Sequence, residues 1–173
     1  YIDVQTRPER RNAVKVLLFL DVGGSMDDHI RVVDELFSAA RAEFKHMQHF
    51  YFHNCLYEGV WTDNRRRWDA QTPTWAVLHR YGRDYKCIVV GDASMSPYEI
   101  AVPGGANEHW NPESGEVWLR RLTSTFPDHI WLNPVPEAHW GYTQSIGMVG
   151  AVFENRMLPL TLDGLTRAMR LLG

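Results

Sequence analysis

Short apolar runs alternate along this chain with stretches in which apolar residues recur every three or four positions. The first such run, Val14 to Leu20, consists of Val, Leu and Phe apart from Lys15. A nearly continuous apolar run is typical of a strand buried on both faces of a parallel sheet. The following residues predict an amphipathic helix, because apolar side chains stand at helical spacing at Ile30, Val33, Phe37, Ala40 and Phe44.

The rest of the chain repeats this alternation. We predict further strands at 48–54, 56–61, 86–91, 129–133 and 157–160. We predict further helices at 72–81, 115–125, 142–153 and 162–172. Residues 93–113 are rich in Ser, Pro, Gly and Asn and follow neither period, so they predict a long surface loop.

Strands that alternate with helices indicate an α/β fold. We predict a doubly wound, mostly parallel sheet with helices on both faces and right-handed crossovers. The short connection at Cys55, between 48–54 and 56–61, predicts one antiparallel strand at an edge of the sheet. A length of 173 residues fits a single domain over 1–173. Because the sequence begins with Tyr1 rather than Met, we expect it to be part of a longer chain.

Charge and composition exclude several function classes. The net charge is −3 with no long block of one sign, which argues against binding to nucleic acid or to an acidic membrane surface. No apolar run is long enough to span a bilayer, and no signal peptide is evident. Cys55 and Cys87 lie in apolar segments without CxxC spacing, so we predict no disulfide framework and a reducing, cytoplasmic location.

Two aspartates mark the candidate chemistry. Asp21 directly follows the first apolar run, and Asp92 follows the run KCIVVG at 86–91. Ligands of such sheets bind in the crevice at the carboxyl ends of the strands, where two unpaired carboxylates would repel each other unless a cation lay between them. Ser25, four residues after Asp21, offers a hydroxyl group, and Thr72 offers another from the loop that leads into a later predicted helix. Carboxylate and hydroxyl oxygens suit a hard cation, Mg²⁺ or Mn²⁺, better than Zn²⁺.

These residues resemble the metal-ion-dependent adhesion site of von Willebrand factor type A (VWA) domains, which is written D-x-S-x-S, T, D. The matching positions are Asp21, Ser25, a later Thr and Asp92, and the segment LLFLDVGGSM is closest to the bacterial CoxE-like branch. Gly23 stands where the pattern has its first serine, so either water takes that place or the metal affinity falls. In members of this family the third ligand tends to be a Thr followed by apolar residues five and six positions on, and Thr72, with Val77 and Leu78, fits that pattern better than Thr74 does.

The resemblance implies a binding module without catalytic activity. In such domains the cation keeps one coordination site open, and an Asp or Glu of a partner protein completes the shell. Bacterial relatives of this kind are often encoded beside MoxR-type AAA+ ATPases, which implies a role in assembly or cofactor maturation. The alternative is a Mg²⁺-dependent phosphohydrolase of the haloacid-dehalogenase type, but that chemistry needs an acid two positions after the nucleophile, where Gly23 stands.

Two further interpretations remain open at this point. Ser25 with Asp28 forms an S-x-x-D pattern, which also fits the capping box of the following helix. His109 and Trp110 lie in the predicted loop after Asp92, where we predict that they contact a partner. The alternative is that Trp110 only packs over the core.

Overall fold

The structure is a computed structural model that describes residues 12–172, with side chains from residue 14 onward. Within these residues the strands are β1 (Asn12–Asp21), β2 (Phe44–Phe52), β3 (Gly59–Val60), β4 (Thr72–Pro73), β5 (Lys86–Val90), β6 (His129–Asn133) and β7 (Met157–Pro159). The helices are α1 (Ile30–Glu43), α2 (Thr74–Arg80), α3 (Pro97–Ala101), α4 (Gly115–Thr125), α5 (Gln144–Val152) and α6 (Leu162–Leu172). Short 3₁₀ helices lie at Gly24–His29, Trp68–Ala70 and Glu137–Tyr142.

Five strands form one parallel sheet in the order β2-β1-β5-β6-β7. Helices α1 and α6 cover one face, where Leu36 and Ala168 pack with Val16, Leu18 and Leu20 of β1. Helices α2 to α5 cover the other face, where their apolar residues pack with Leu17 and Phe19. Alternate residues of β1 therefore enter two separate cores, as expected for a strand covered on both sides.

The predicted fold class is confirmed: the chain is a doubly wound, Rossmann-like α/β fold. The predicted limits of α4, β6 and α6 agree with the structure. The segment 93–113 is not entirely a loop, because it contains α3. Ser96 begins this helix with a capping box, in which its side chain and that of Glu99 pair with backbone N–H groups.

The antiparallel edge is smaller than predicted. β3 pairs with β4 in a separate two-stranded sheet. The link to the main sheet is one antiparallel bridge, in which Tyr51 and Trp61 exchange backbone hydrogen bonds of 2.6 and 3.0 Å. Residue 61 thus lies along the outer edge of β2, where we predicted an antiparallel strand.

Cys55 and Cys87 are buried free thiols. None of the helices within 12–172 has the length and apolar character needed to cross a membrane.

Candidate metal centre

Asp21 and Asp92 lie at the carboxyl ends of neighbouring strands. Leu20 of β1 pairs with Val90 of β5, so Asp21 stands level with Gly91 and Asp92 follows one residue later. Each aspartate is only 3% exposed. β1 lies between β2 on one side and β5 on the other, so the connections from β1 and to β5 diverge here. This is the switch point at which doubly wound folds bind ligands.

The carboxylate of Asp21 has hydrogen bonds on one side only. Its Oδ1 accepts the backbone N–H groups of Gly23, at 2.8 Å, and Asn54, at 2.9 Å. Its Oδ2 is buried and accepts no hydrogen bond from the residues that the structure describes. Buried polar atoms nearly always have a hydrogen-bond partner. An unpaired carboxylate oxygen such as this one therefore calls for an explanation, and a bound ion is one.

The electrostatics of Asp21 also favour a cation. Burial is the largest influence and raises the pKa of Asp21 from its ordinary value of 3.8 to about 7. The N–H groups of Gly23 and Asn54 lower this pKa, while the negative charges of Asp92 and Glu99 raise it. A divalent cation beside these carboxylates would stabilise their ionised forms and offset the cost of burying them.

Asn54 and Glu99 complete the wall of the site, and the sequence analysis did not single out either of them. The Asn54 side chain donates from Nδ2 to Oε1 of Glu99 at 3.1 Å. The other oxygen of Glu99 accepts the N–H of Ser96 at 3.2 Å, which is half of the capping box of α3. Glu99 is 5% exposed, so a third buried carboxylate faces this end of the sheet.

Glycine is required beside Asp21 by close packing. A Cβ built on Gly23 would lie 2.1 Å from Oδ1 of Asn54. A Cβ built on Gly91 would lie 2.9 Å from the Cβ of Asp21 and 3.1 Å from the Trp131 ring. Side chains at these positions would displace the groups that form the site.

Asp92 is held by hydrogen bonds to its backbone and to its side chain. Its carbonyl accepts the side-chain N–H of Asn133 at 3.0 Å, and its Oδ1 accepts the N–H of Ser94 at 3.1 Å. Ala93 then adopts a left-handed conformation, with φ of 55°, which is unfavourable for a residue with a Cβ. The hydroxyl of Ser145 donates to the Ala93 carbonyl at 2.7 Å and so holds this turn to α5.

The structure places Ser25 and Thr72 apart from these hydrogen bonds. Ser25 is exposed on the 3₁₀ turn after Gly23. The capping interpretation of Ser25 is wrong, because Gly23 and His29 are the N-cap residues of the two successive helices and neither position shows a side-chain cap.

The two candidate threonines differ in what their hydroxyl groups contact. Thr72 is half-buried in β4, where it pairs with Val60, and its hydroxyl makes no hydrogen bond within the described part of the chain. Thr74 is fully buried, and its hydroxyl donates to the carbonyl of Tyr57 at 2.6 Å. Thr72 is therefore the threonine whose hydroxyl is left available.

The two predicted partner residues have different surroundings. His109 contacts Glu58 through Nε2 at 3.0 Å and packs between the rings of Tyr57 and Trp68, with 20% of its side chain exposed. Trp110 is 72% exposed, and its ring lies against Gly104 rather than over the core. Of these two residues, Trp110 is therefore the one that offers a large apolar surface to solvent.

A groove of about 600 Å³ opens beside Asp21. It runs between α1 and the edge of β2, and its floor includes the Asp21 and Gly23 end of the site. The wall combines apolar and acidic side chains, namely Met26, Asp27, Ile30, Val33, Asp34, Phe37 and Tyr51. A ligand that reached Asp21 from this side would lie against α1.

Carboxylates alone do not make this a metal site. Within residues 12–172, no group of three or more His, Cys, Asp or Glu side chains is placed to hold a metal ion. A cation here would also need hydroxyl, amide or water oxygens, which are ordinary ligands of Mg²⁺.

Comparisons with protein-family models, with curated proteins and with solved structures gave no match to this chain. A family assignment therefore depends on the chain's own residues.

Proposed function

We propose that this chain is a metal-dependent protein-binding module, in which Mg²⁺ or Mn²⁺ at the carboxyl end of the sheet binds an Asp or Glu of a partner protein. The observation that carries the proposal is the buried Oδ2 of Asp21, which has no partner among the described residues although Asp92 and Glu99 add negative charge around it. A hard dication is the kind of ligand that would suit this arrangement.

The proposed ligands are Asp21 and Asp92, with the hydroxyl groups of Ser25 and Thr72. Asp21 and Asp92 are supported by their position at the switch point. The hydroxyl of Ser25 is exposed and that of Thr72 makes no hydrogen bond to the described residues, so neither hydroxyl is committed to another partner there. Once bound, the cation would supply a strong electrostatic contact for an incoming carboxylate.

The resemblance to VWA domains supports the same function. The parallel sheet and the antiparallel contact of residue 61 with the edge of β2 agree with the architecture that this resemblance implies. On this proposal the module has no catalytic activity of its own and works in the cytoplasm with a MoxR-type AAA+ ATPase, in assembly or cofactor maturation.

The geometry does not favour the phosphohydrolase alternative. That mechanism needs a carboxylic acid two residues after the nucleophile. In this chain Gly23 holds that position, and any side chain there would meet Oδ1 of Asn54 at 2.1 Å. The absence of metal-stimulated p-nitrophenyl phosphate hydrolysis is therefore expected.

Metal titration tests the proposal directly. We expect calorimetry to show one Mn²⁺ site in the wild-type protein and none in Asp21→Ala, while exposed Asp28→Ala binds as the wild type does. In a second step, acetate serves as a minimal carboxylate. Its addition should shift the backbone amide NMR signals of Gly23 and Asn54 when Mg²⁺ is present and not when EDTA replaces it. Equal Mn²⁺ binding by the wild type and Asp21→Ala would overturn the proposal.

A further inference from the structure

The side chain of Asn54 fills the space that the missing side chain at Gly23 leaves. A Cβ built on Gly23 would lie 2.1 Å from Oδ1 of Asn54 and 3.2 Å from Oδ1 of Asp21. The amide oxygen and the carboxylate therefore border the same small space. Asn54 reaches it from the end of β2, the strand next to β1.

Hydrogen bonds fix which way the Asn54 amide points. Its Nδ2 donates to Oε1 of Glu99, so its Oδ1 is turned away from Glu99. Glu99 is itself held in place, because its Oε2 accepts the N–H of Ser96 and its carbonyl accepts the hydroxyl of Tyr57 at 2.6 Å. Among the described residues no group donates a hydrogen bond to Oδ1 of Asn54.

The backbone of Asn54 is committed to the same site. Its N–H donates to Oδ1 of Asp21 at 2.9 Å, and its φ of 62° lies in the left-handed region. A conformation that is unfavourable for a residue with a Cβ persists where the surroundings require it, and such residues cluster at functional sites. Here it brings an amide oxygen to the same space as Oδ1 of Asp21, while the unpaired Oδ2 of that carboxylate faces Gly91.

We infer that the amide oxygen of Asn54 is a ligand of the cation, in place of the serine hydroxyl that position 23 lacks, and that Glu99 positions this amide. The inference rests on the proposed function and adds one ligand to it. An amide oxygen is a hard, neutral donor, as a serine hydroxyl is, so the exchange leaves the charge of the site unchanged. A ligand set that includes Asn54 also needs fewer acidic side chains than a carboxylate cage.

Asn54→Gly removes the side-chain amide and keeps the backbone conformation and the backbone hydrogen bond to Asp21. Glycine adopts the left-handed conformation readily, and it retains the N–H that bonds to Asp21. We expect the Mn²⁺ affinity measured by calorimetry to fall about tenfold or more. Asn155→Gly is the matched control, because Asn155 has the same φ of 62° and is exposed at the amino end of β7. Its Mn²⁺ affinity should equal that of the wild type.

A double variant separates ligation from a merely structural role. Gly23→Ser alone places its side chain against Oδ1 of Asn54, so its Mn²⁺ affinity should fall. In Gly23→Ser with Asn54→Gly the contact with the Asn54 amide is removed and only the 3.2 Å approach to Oδ1 of Asp21 remains. The serine hydroxyl can then act as the ligand, so the affinity should return to within about threefold of the wild type. If Asn54 only supported the fold, the second substitution would worsen the first.

Asn54→Asp keeps an oxygen at the same place if the glycine variant does not fold. It should retain Mn²⁺ binding, while its melting temperature in EDTA falls because three carboxylates then surround Asp21. The inference is overturned if Asn54→Gly binds Mn²⁺ like the wild type while Asp21→Ala does not, and the proposed function then stands. If Asp21→Ala also binds normally, the inference and the proposed function fail together.

Discussion

The backbone N–H of Asn54 donates a 2.9 Å hydrogen bond to Oδ1 of Asp21 and so joins the ends of β2 and β1. With the N–H of Gly23 on the same oxygen, one side of the carboxylate is fully satisfied. The other oxygen is left buried without a partner in the described part of the chain. The site therefore fixes the position of Asp21 firmly while leaving its charge uncompensated.

Asp21→Asn should stabilise the protein in the absence of metal. The amide keeps an acceptor for Gly23 and Asn54, and it removes a buried charge that Asp92 and Glu99 disfavour. We expect the free energy of unfolding at pH 8 in EDTA to rise by about 1–3 kcal/mol. Urea denaturation followed by circular dichroism measures this change.

With 10 mM Mg²⁺ the wild type should instead be more stable than Asp21→Asn, as expected when a ligand binds only the folded state. The wild-type melting temperature should rise on adding Mg²⁺, and that of Asp21→Asn should not. Asp28→Asn provides the control, because Asp28 is exposed on the neighbouring 3₁₀ turn, and its stability should stay within about 0.5 kcal/mol of the wild type. A less stable Asp21→Asn in EDTA would show that the carboxylate is structural.

Gly91→Ala should push the Asp21 side chain out of its position in the site. The added methyl group would lie 2.9 Å from the Cβ of Asp21 and 3.1 Å from the Trp131 ring, and neither neighbour can swing away freely. We expect a loss of about 1–3 kcal/mol in stability, as is typical of overpacking, together with loss of Mn²⁺ binding. Chemical denaturation and calorimetry measure the two effects.

Gly147→Ala is the matched control for this substitution. Gly147 lies inside α5, and a Cβ there would meet nothing within 4 Å. Alanine is more favourable than glycine in the interior of a helix, so this variant should gain up to about 1 kcal/mol in stability and bind Mn²⁺ normally. Comparable behaviour of the two variants would mean that Gly91 is not tightly packed against Asp21.

The strand-end aspartates could be predicted because their signal is local. An apolar run that ends in Asp marks the end of a buried strand, and the carboxyl ends of parallel strands lie at one edge of a sheet. Nothing local distinguishes Asn54, because its role depends on a left-handed φ and on β2 lying next to β1. It could be found only once the strand order was known.

Glu99 is a different case, because the sequence did carry a signal for it. Ser96, Pro97 and Glu99 form the S-P-x-E pattern of a helix start, with proline at the first helical position, and the structure has this capping box. The Ser25 to Asp28 pattern resembles it but forms no cap, because a 3₁₀ turn of six residues separates β1 from α1. Such patterns predict a cap only when the helix begins at that serine.

Glu108 should make the free energy of unfolding of this chain depend on pH. Burial alone would raise its pKa, but the hydrogen bond from Arg66 and the nearby charges of Arg66 and of His53 and His109 lower it below the ordinary 4.5. A carboxyl whose pKa is lowered by folding stabilises the protein above its unfolded pKa, and this stability is lost as the pH falls through the folded pKa. Because Glu108 is partly exposed, we expect about 0.5–1 kcal/mol.

The comparison of wild type with Glu108→Gln tests this dependence. The variant should be less stable at pH 7, and the difference should shrink toward zero as the pH falls below 4, as measured by urea denaturation at each pH. Glu116→Gln is a suitable control, since its ion pair with Arg120 is exposed and lies on the surface of α4. A difference that stays constant down to pH 3 would contradict the assignment to an ionised Glu108.

His109 and Trp110 should respond differently to truncation, although they are neighbours. His109→Ala removes a contact with Glu58 and packing against Tyr57 and Trp68, so we expect a loss of about 1–2 kcal/mol in stability. Trp110→Ala removes a ring that is 72% exposed, so stability should change by less than about 0.5 kcal/mol.

On the proposed function, capture of a MoxR-type AAA+ ATPase by the immobilised protein in Mg²⁺ should, in contrast, weaken about tenfold in Trp110→Ala, because tryptophan side chains are enriched among the residues that carry most of the energy of protein–protein binding. Leu171→Ala is the control, since Leu171 is an exposed apolar residue in the last turn of α6. If Trp110→Ala captures the ATPase as the wild type does while Asp21→Ala does not, the cation alone provides the contact and the 93–113 segment only shapes the edge of the site.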